Sequence, residues 1–315
     1  MKYGFGIDLG GTTVKLGLFK EDGTLVEKWE IPTNTAQNGA SILPDIARAV
    51  EGCMTRWEIS KEQCLGIGIG VPGPVSGDGT VKRCANLGWW FFNLHQTLQE
   101  LTGLPVKAGN DANVAALGEC WKGGGRGCEN MVLVTLGTGI GGGIVADGKI
   151  LFGAHGAAGE IGHLPMDKTE TEPCGCGKYG CAEQYGSATG IVRLARRALE
   201  QSETPSALRT LSQITAKDIF DLANQKDPLA LEVRARYFDF LGQFLACVCC
   251  VVDPEVVVIG GGVSKAGTIL TEGIQKDFIP YMFHTGREIR FTLAELGNDA
   301  GIYGSFKLVL DYLGG

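Results

Sequence analysis

Asp8-Leu9-Gly10-Gly11-Thr12-Thr13 closes one strand pattern, Tyr3 to Leu9, and opens the next, Val14 to Phe19. An Asp22-Gly23 turn follows, a strong hairpin signal between apolar runs, and the chain continues from Leu25. The same layout returns later. Met131 to Leu136 reads as a strand, Gly137-Thr138-Gly139 as a glycine turn, and Ile144-Val145, Asp147-Gly148 and Ile150-Leu151 as strand, turn and strand. Laying Asp8-Leu9-Gly10-Gly11-Thr12 over Thr135-Leu136-Gly137-Thr138-Gly139 brings the two Asp-Gly turns close to register. The chain therefore reads as two copies of a strand–glycine turn–strand unit, which predicts two related α/β lobes with a cleft between them.

Working outward, apolar Ile42, Ile46, Val50 and Met54 stand at helical spacing and predict a helix over 38–57. Leu65 to Val71 reads as a buried strand ending at Pro72-Gly73-Pro74. Residues 183–200 and 228–251 read as helices, 201–216 as a polar connection, and Val256 to Ile259 as a buried strand running into Gly260-Gly261-Gly262 and a helix. The last stretch, Asp299 to Leu313, reads as a helix expected to pack back on the first lobe.

Composition sets limits on function. The chain of 315 residues is 44% hydrophobic and 20% charged, enough for two globular domains. Its net charge of −7 and the lack of any Lys/Arg run argue against nucleic acid as a partner. No unbroken apolar stretch reaches about 18 residues, so no membrane span is expected, and the first residues lack a signal-peptide layout. With no export signal, thiols rather than disulfides are expected for its 11 cysteines, an odd number, in a cytoplasmic protein. Cys247, Cys249 and Cys250 read as small core residues of a buried helix.

Three glycine turns suggest phosphate chemistry. At Gly10-Gly11-Thr12-Thr13 the backbone can approach a phosphate closely and the hydroxyls add donors, while Asp8 can hold Mg2+ through its water shell; a plain hairpin is the competing reading. Gly137-Thr138-Gly139-Ile140-Gly141-Gly142-Gly143 satisfies G-x-G-x-x-G, but no helix pattern follows, which excludes a dinucleotide turn. It also lacks the Lys-Ser/Thr of a Walker loop. Two such hairpins in matching positions would grip a triphosphate. Gly261 and Gly262 leave room for a flat ring such as adenine; a tight strand-to-helix turn is the alternative there.

Gly109-Asn110-Asp111-Ala112-Asn113 precedes the apolar run from Val114 to Leu117. One reading is a helix N-cap. The other makes Asp111 a general base that accepts an alcohol proton during phosphoryl transfer, kept ionised by the helix dipole, with Asn110 orienting the acceptor.

Glu160-Ile161-Gly162-His163 and Cys174-Gly175-Cys176-Gly177-Lys178-Tyr179-Gly180-Cys181-Ala182-Glu183 hold one His and three Cys within a short glycine-rich span. His163, Cys174, Cys176 and Cys181 match a Cys3His zinc site, and four protein ligands make such a zinc structural. Glu160 and Glu183 flank these ligands and can accept hydrogen bonds from a polyhydroxylated ligand, as can the second ring nitrogen of His163.

Taken together, these motifs resemble the ROK family of sugar kinases and sugar-responsive repressors. Val71-Pro72-Gly73-Pro74, Asn86-Leu87-Gly88-Trp89, Asp253-Pro254 and Val256 to Gly262 fit the same pattern, which spans the chain. The resemblance implies an actin-like, hexokinase-type (ribonuclease H-like) α/β fold in two lobes. We expect a small lobe of residues 1–115 with the C-terminal helix 299–315, and a large lobe of 116–298. It implies Asp111 as the base, and Gly73, Asn86, Asn110, Asp111, Glu160, His163 and Glu183 as sugar-binding residues. ATP with Mg2+ would lie on Asp8, Gly10, Gly11, Thr12, Thr13, Gly137, Thr138, Gly139, Gly261 and Gly262. Zinc is implied at His163, Cys174, Cys176 and Cys181. A homo-oligomer, dimer or tetramer, is expected.

The resemblance implies phosphorylation of a hexose 6-hydroxyl, glucose first. N-acetylmannosamine, N-acetylglucosamine, allose and fructose kinases share the motifs. The repressors of the family carry a winged helix-turn-helix ahead of the first glycine turn; here seven residues precede Asp8, so an enzyme is expected. The intact Asp111 and both phosphate turns also argue against a silent sugar sensor.

Overall fold

The structure is a computed structural model and describes residues 1–314. The chain forms two compact units. The first comprises Met1–Glu129, Gly143–Gly159 and Glu295–Gly315; the second comprises Asn130–Gly142 and Glu160–Ala294.

In chain order the elements begin β1 (Tyr3–Leu9), β2 (Thr13–Lys20), β3 (Leu25–Pro32), a short turn α1 (Ala36–Gly39) and α2 (Ile42–Arg56). Next come β4 (Cys64–Val71), β5 (Thr80–Cys84), β6 (Trp89–Asn93), α3 (Leu94–Thr102), β7 (Val106–Asn110) and α4 (Asp111–Lys122). The chain continues with β8 (Met131–Leu136), β9 (Ile140–Ala146), β10 (Lys149–Ile150), α5 (Glu183–Gly186), α6 (Ala188–Gln201), α7 (Ala216–Asn224) and α8 (Pro228–Val252). It ends with β11 (Val256–Gly260), α9 (Thr268–Phe278), β12 (Arg290–Leu293) and α10 (Ala300–Gly314).

Two five-stranded sheets share one strand order. The first runs β3-β2-β1-β4-β7 and the second β10-β9-β8-β11-β12. In both, a hairpin strand order reverses into parallel neighbours: β1 pairs antiparallel with β2 and parallel with β4, and β11 pairs parallel with β8 and β12. The repeat read from the two glycine turns is therefore a repeat of topology, the ribonuclease H-like unit used twice.

The central strands are near-continuous apolar runs because both of their faces are covered. Phe5, Ile7 and Leu9 of β1 and Val256 to Ile259 of β11 are fully buried. Glycine on the first sheet lets α10 pack unusually close. A Cβ on Gly6 would stand 1.9 Å from the Ile302 carbonyl oxygen, and one on Gly68 1.6 Å from that of Ser305. Ser305 Oγ, itself buried, donates to the Ile7 carbonyl at 2.8 Å. Much of the high glycine content thus serves close backbone packing as well as turns.

α10 packs on the first unit, as expected from the sequence. The expected domain boundary does not stand. A cut after residue 115 would split α4, which packs as one piece on α10: a Cβ on Gly304 would meet the Val114 carbonyl at 1.6 Å. Residues 116–129, 143–159 and 295–298 belong to the first unit.

Three other expectations change. The helix over 38–57 begins at Ile42, because Gln37 and Asn38 take left-handed backbone angles. The helix over 183–200 is interrupted at Ser187, which is extended and caps α6 by accepting from Gly190 N. Cys249 is buried but Cys247 and Cys250 are exposed, so the cysteine cluster is only partly core. α8 is also a helix long and apolar enough to cross a membrane by length and composition, with half of its most apolar window packed inside the protein. The sequence reading passed over it because Arg236 and Asp239 interrupt the apolar run.

Candidate functional site

In the first unit, β1 delivers Asp8 beside the turn Gly10–Thr13. Gly10 N donates to the Thr13 carbonyl at 3.0 Å and Thr33 Oγ1 donates to the Gly10 carbonyl at 2.7 Å, so the turn is held from both sides. Asp8 lies 3.6 Å from Lys15 Nζ. It also abuts Gly301, where a Cβ would stand 2.6 Å from its Cγ. Burial raises the Asp8 carboxyl above its ordinary value, and Lys15 pulls it back.

β4 and β7 run parallel with Val71 opposite Asn110, so their ends bring Pro72-Gly73-Pro74 next to the start of α4. Gly73 sits at φ +94°, and a Cβ there would meet the Arg83 carbonyl at 2.7 Å. Asn110 is the N-cap of α4: its Oδ1 accepts from Ala112 N and Asn113 N. Its Nδ2 donates to the Gly73 carbonyl at 3.2 Å. The capping reading therefore belongs to Asn110, and Asp111 stands in the first turn, half-buried, where the helix dipole favours a carboxylate. Asp111 Oδ1 accepts from Ala112 N at 2.8 Å. Asn86 lies in the 3-10 turn Ala85–Leu87 that follows β5, exposed. The end of β5 abuts Gly73, where a Cβ would stand 3.8 Å from Cys84 Cα, so the turn carrying Asn86 starts beside Gly73. Gly73, Asn86, Asn110 and Asp111 are thus assembled in one region of the first unit.

The second unit gathers the other predicted residues. Gly137 N donates to the Gly139 carbonyl at 3.0 Å, closing the turn after β8. Ala188 N donates to the Gly137 carbonyl at 2.8 Å and Thr189 Oγ1 to the Thr138 carbonyl at 2.7 Å, so the N-terminus of α6 braces this turn. Gly139 abuts Glu183: a Cβ there would stand 2.4 Å from Glu183 Oε2.

Gly261 takes φ +83° under the backbone of Leu136. Gly262 lines a cavity of about 200 Å³ together with Phe220, Val263 and Lys265. A second cavity of about 690 Å³ is lined by Thr138, Thr189 and Arg193. Ala216 lines both.

Around His163 the Pro165–Cys181 and Pro173–Tyr179 bridges fold the glycine-rich loop back on itself. The ligand atoms of His163, Cys174, Cys176 and Cys181 all lie within 4.8 Å of one another. Cys176 and Cys181 sulfurs are 3.7 Å apart, and Cys174 Sγ is 3.9 Å from His163 Nδ1. A tetrahedron with zinc–sulfur bonds of about 2.3 Å has edges of about 3.8 Å, so the donor set fits zinc in both chemistry and spacing. The carboxylates flank this cluster. Glu183 Oε1 accepts from Cys174 Sγ at 2.8 Å and lies 3.9 Å from His163 Nδ1; Glu160 Oε2 lies 4.0 Å from His163 Nε2. Glu160 is half-exposed and Glu183 mostly covered.

Sequence reasoning did not single out Thr189, Asn113 or the Glu170 network. Thr189 ends a Ser187-Ala188-Thr189 stretch in which Ser187 is the cap of α6. Asn113 is buried, with Oδ1 lacking a protein partner, and it lay in plain view within the quoted Asn110-to-Asn113 motif. Glu170, whose side chain is 1% exposed, pairs with Arg193 and Arg197 on α6 and accepts from the Tyr185 hydroxyl; no sequence spacing announces that.

The twofold use of one sheet topology, with glycine turns after β1 and β8, defines an actin-like α/β protein of the hexokinase type. The family model described as ROK family matches residues 4–312, and the chain belongs to the ROK family. It is 46% identical over 309 residues to a glucokinase from Halalkalibacterium halodurans, covering 96% of this chain and 94% of that protein. A solved ROK family glucokinase from Streptomyces griseus, in complex with glucose and AMPPNP, superposes with a TM-score of 0.72 at 32% identity, over 97% of this chain and 98% of that one. A ROK hexokinase from Thermus thermophilus gives 0.81 at 30% identity, over 99% and 100%.

Proposed function

We propose that this chain is an ATP-dependent hexose kinase that phosphorylates the 6-hydroxyl of glucose to give glucose 6-phosphate. The observation that carries the reading is the placement of Asp111: it stands in the first turn of a helix whose cap, Asn110, is also bonded to Gly73. The helix N-terminus favours a carboxylate at that position and the capped first turn holds it in place, which is what a general base requires. Glucose as the sugar rests on the likeness to the glucokinases described above.

In this reading the sugar is bound by Gly73, Asn86, Asn110, Glu160, His163 and Glu183. The carboxylates accept from its hydroxyls, and Asn110 fixes the acceptor end. ATP lies with its phosphates on Gly10 to Thr13 and on Gly137 to Gly139, and its adenine in the cavity beside Gly261 and Gly262. Asp111 takes the proton of the 6-hydroxyl as that oxygen bonds to the terminal phosphorus; the bond from phosphorus to the ADP oxygen breaks, and ADP leaves with the electron pair. Asp8 is the carboxylate we assign to hold Mg2+ through water, and an ion there would supply neutralisation of phosphate charge. His163, Cys174, Cys176 and Cys181 would hold a zinc ion; four protein ligands would make it structural, and it would fix the loop that carries the sugar-binding groups. The same reading places the enzyme in the cytoplasm, where ATP is available.

The test is ADP release by zinc-loaded protein with Mg-ATP and a panel of glucose, N-acetylmannosamine, N-acetylglucosamine, mannose, allose and fructose. A preference for glucose is expected. Preference for another hexose would reassign the pocket alone. No sugar-dependent ADP release from folded, zinc-loaded protein would contradict the kinase reading and favour a sugar sensor.

A further inference from the structure

The segment between β3 and α2 takes a backbone that ordinary side chains avoid. Gln37, Asn38 and Gly39 lie in succession at φ +52°, +57° and +69°. Gly39 N donates to the Thr35 carbonyl at 3.2 Å, which closes one turn of left-handed helix. Glycine takes such angles freely and asparagine tolerates them, but an L-glutamine brings its Cβ too close to the following carbonyl oxygen. Just after the turn, the Ser41 hydroxyl is buried with no hydrogen-bond partner among the described residues. A loop free to relax would shed both costs, so surrounding contacts hold them in place, and strain held in this way gathers at functional sites.

Those contacts run in two directions. At its start the segment is fixed to the glycine turn after β1: Thr33 N donates to the Thr12 carbonyl at 2.9 Å, and Thr33 Oγ1 to the Gly10 carbonyl at 2.7 Å. At its end it presses on the turn Ala85–Leu87 that carries Asn86. A Cβ on Gly39 would stand 2.6 Å from the Leu87 carbonyl oxygen, and one on Gly88 2.8 Å from Asn38 Cα. The buried Trp89 donates from Nε1 to the Gly39 carbonyl at 3.3 Å. Gly88, itself at φ +72°, leaves no side chain between the two backbones, so Asn38 lies directly on the sugar turn.

We propose that Thr33 to Gly39 is a strap through which the phosphate turn positions the sugar turn, with Asn38 as its positioning residue. This rests on the reading above, in which Gly10 to Thr13 hold phosphate and Asn86 binds the sugar. Asn38 touches neither ligand; it acts through Leu87 and Gly88, two positions from Asn86. Phosphate held by the Gly10–Thr13 turn fixes the carbonyls of Gly10 and Thr12, and Thr33 is bonded to both. Thr33 therefore anchors the left-handed turn, and the left-handed turn holds Asn86 in place. A strained turn relaxes when either anchor is loose, so each ligand favours the ordered strap that the other needs. Sugar and nucleotide then bind interdependently, and the coupling is reciprocal.

The experiment is calorimetric titration of the full chain with glucose, with and without Mg-AMPPNP, for the parent protein and a variant carrying Gln37→Gly and Asn38→Gly. Both side chains are exposed and glycine accepts the left-handed angles, so the thermal midpoint of the variant should equal or exceed the parent's. In the parent, the nucleotide should tighten glucose binding by about fivefold or more, the usual lower bound of such coupling. In the variant, glucose affinity should fall and the effect of the nucleotide should vanish, with sugar KM raised and kcat little changed. Asn38→Asp, which keeps both the size and the tolerance of left-handed angles, should behave as the parent does. A parent protein that binds glucose equally with and without nucleotide overturns the inference, as does a variant that keeps the coupling. Loss of affinity in step with a lower thermal midpoint also overturns it, because plain structural support predicts that. A folded parent protein that binds no hexose at all contradicts the kinase reading itself, and the inference falls with it.

Discussion

Asn110 faces two ways at once: Oδ1 caps α4, and Nδ2 donates to the Gly73 carbonyl at 3.2 Å. One side chain therefore sets the start of the helix carrying Asp111 and ties it to the turn after β4. Replacing Asn110 by Ala removes both bonds. Loss of the cap alone costs about 1 kcal/mol, so urea denaturation should show a loss of at least that size. The KM for the sugar should rise with it.

Asp111→Asn keeps the shape of the first turn but removes the carboxylate we propose as the proton acceptor. Turnover should fall by roughly 10²- to 10⁴-fold, the usual range for a general base, with sugar binding by calorimetry nearly unchanged. Near-normal turnover would remove Asp111 from that role.

Zinc should be present at about one ion per chain by elemental analysis, as four protein ligands to one site require. Stripping it with a chelator, or making Cys176→Ser, should lower the thermal midpoint and raise the sugar KM, since Glu160, His163 and Glu183 lose their frame. A chelated protein with unchanged stability would show that the Cys3His cluster holds no structural metal.

His95 supplies a pH prediction. Its Nε2 accepts from Ala108 N at 2.7 Å, on the strand that leads to Asn110, so the native ring must be neutral there. Burial, helped by Lys107, pushes its pKa from 6.5 down to about 4. The unfolded chain therefore binds more protons than the native state between these values. The stabilising effect is fully present above pH 6.5 and is lost as pH falls towards 4. Denaturation curves at pH 7 and pH 5 should differ for the parent protein, and the difference should shrink in His95→Gln.

Glu170 joins the zinc loop to α6. Its side chain, 1% exposed, pairs with Arg193 at 2.6 Å and Arg197 at 3.3 Å, and α6 in turn holds the Gly137–Thr138 turn through Ala188 and Thr189. Removing one member of a buried ion network costs about 3–5 kcal/mol, so Glu170→Ala should be strongly destabilised in denaturant. If that turn holds phosphate as proposed, its loosening should appear as a higher KM for ATP.

How much of this was legible depends on range. The glycine turns, the Cys3His cluster and the Asn110–Asp111 helix start are local patterns, and local chemistry exposes them. The repeat of two turns even disclosed the repeat of sheet topology. The domain boundary was not legible, because α4 belongs with α10 through contacts between Gly304 and Val114 that are far apart in sequence. The exposure of Cys247 and Cys250 was hidden for a related reason: an apolar helix reads as buried whether or not a neighbour covers it. The break at Ser187 was masked by apolar residues on both sides, although Ser is a favoured cap.

The central claim is transfer of the terminal phosphoryl group of ATP to one particular oxygen. Phosphorus and carbon NMR of the product made from glucose and Mg-ATP by the parent protein tests it most directly. The account predicts ADP and a phosphate ester on carbon 6, formed at a rate that collapses in Asp111→Asn. An ester on carbon 1, or ATP consumption that leaves glucose unmodified, would contradict it.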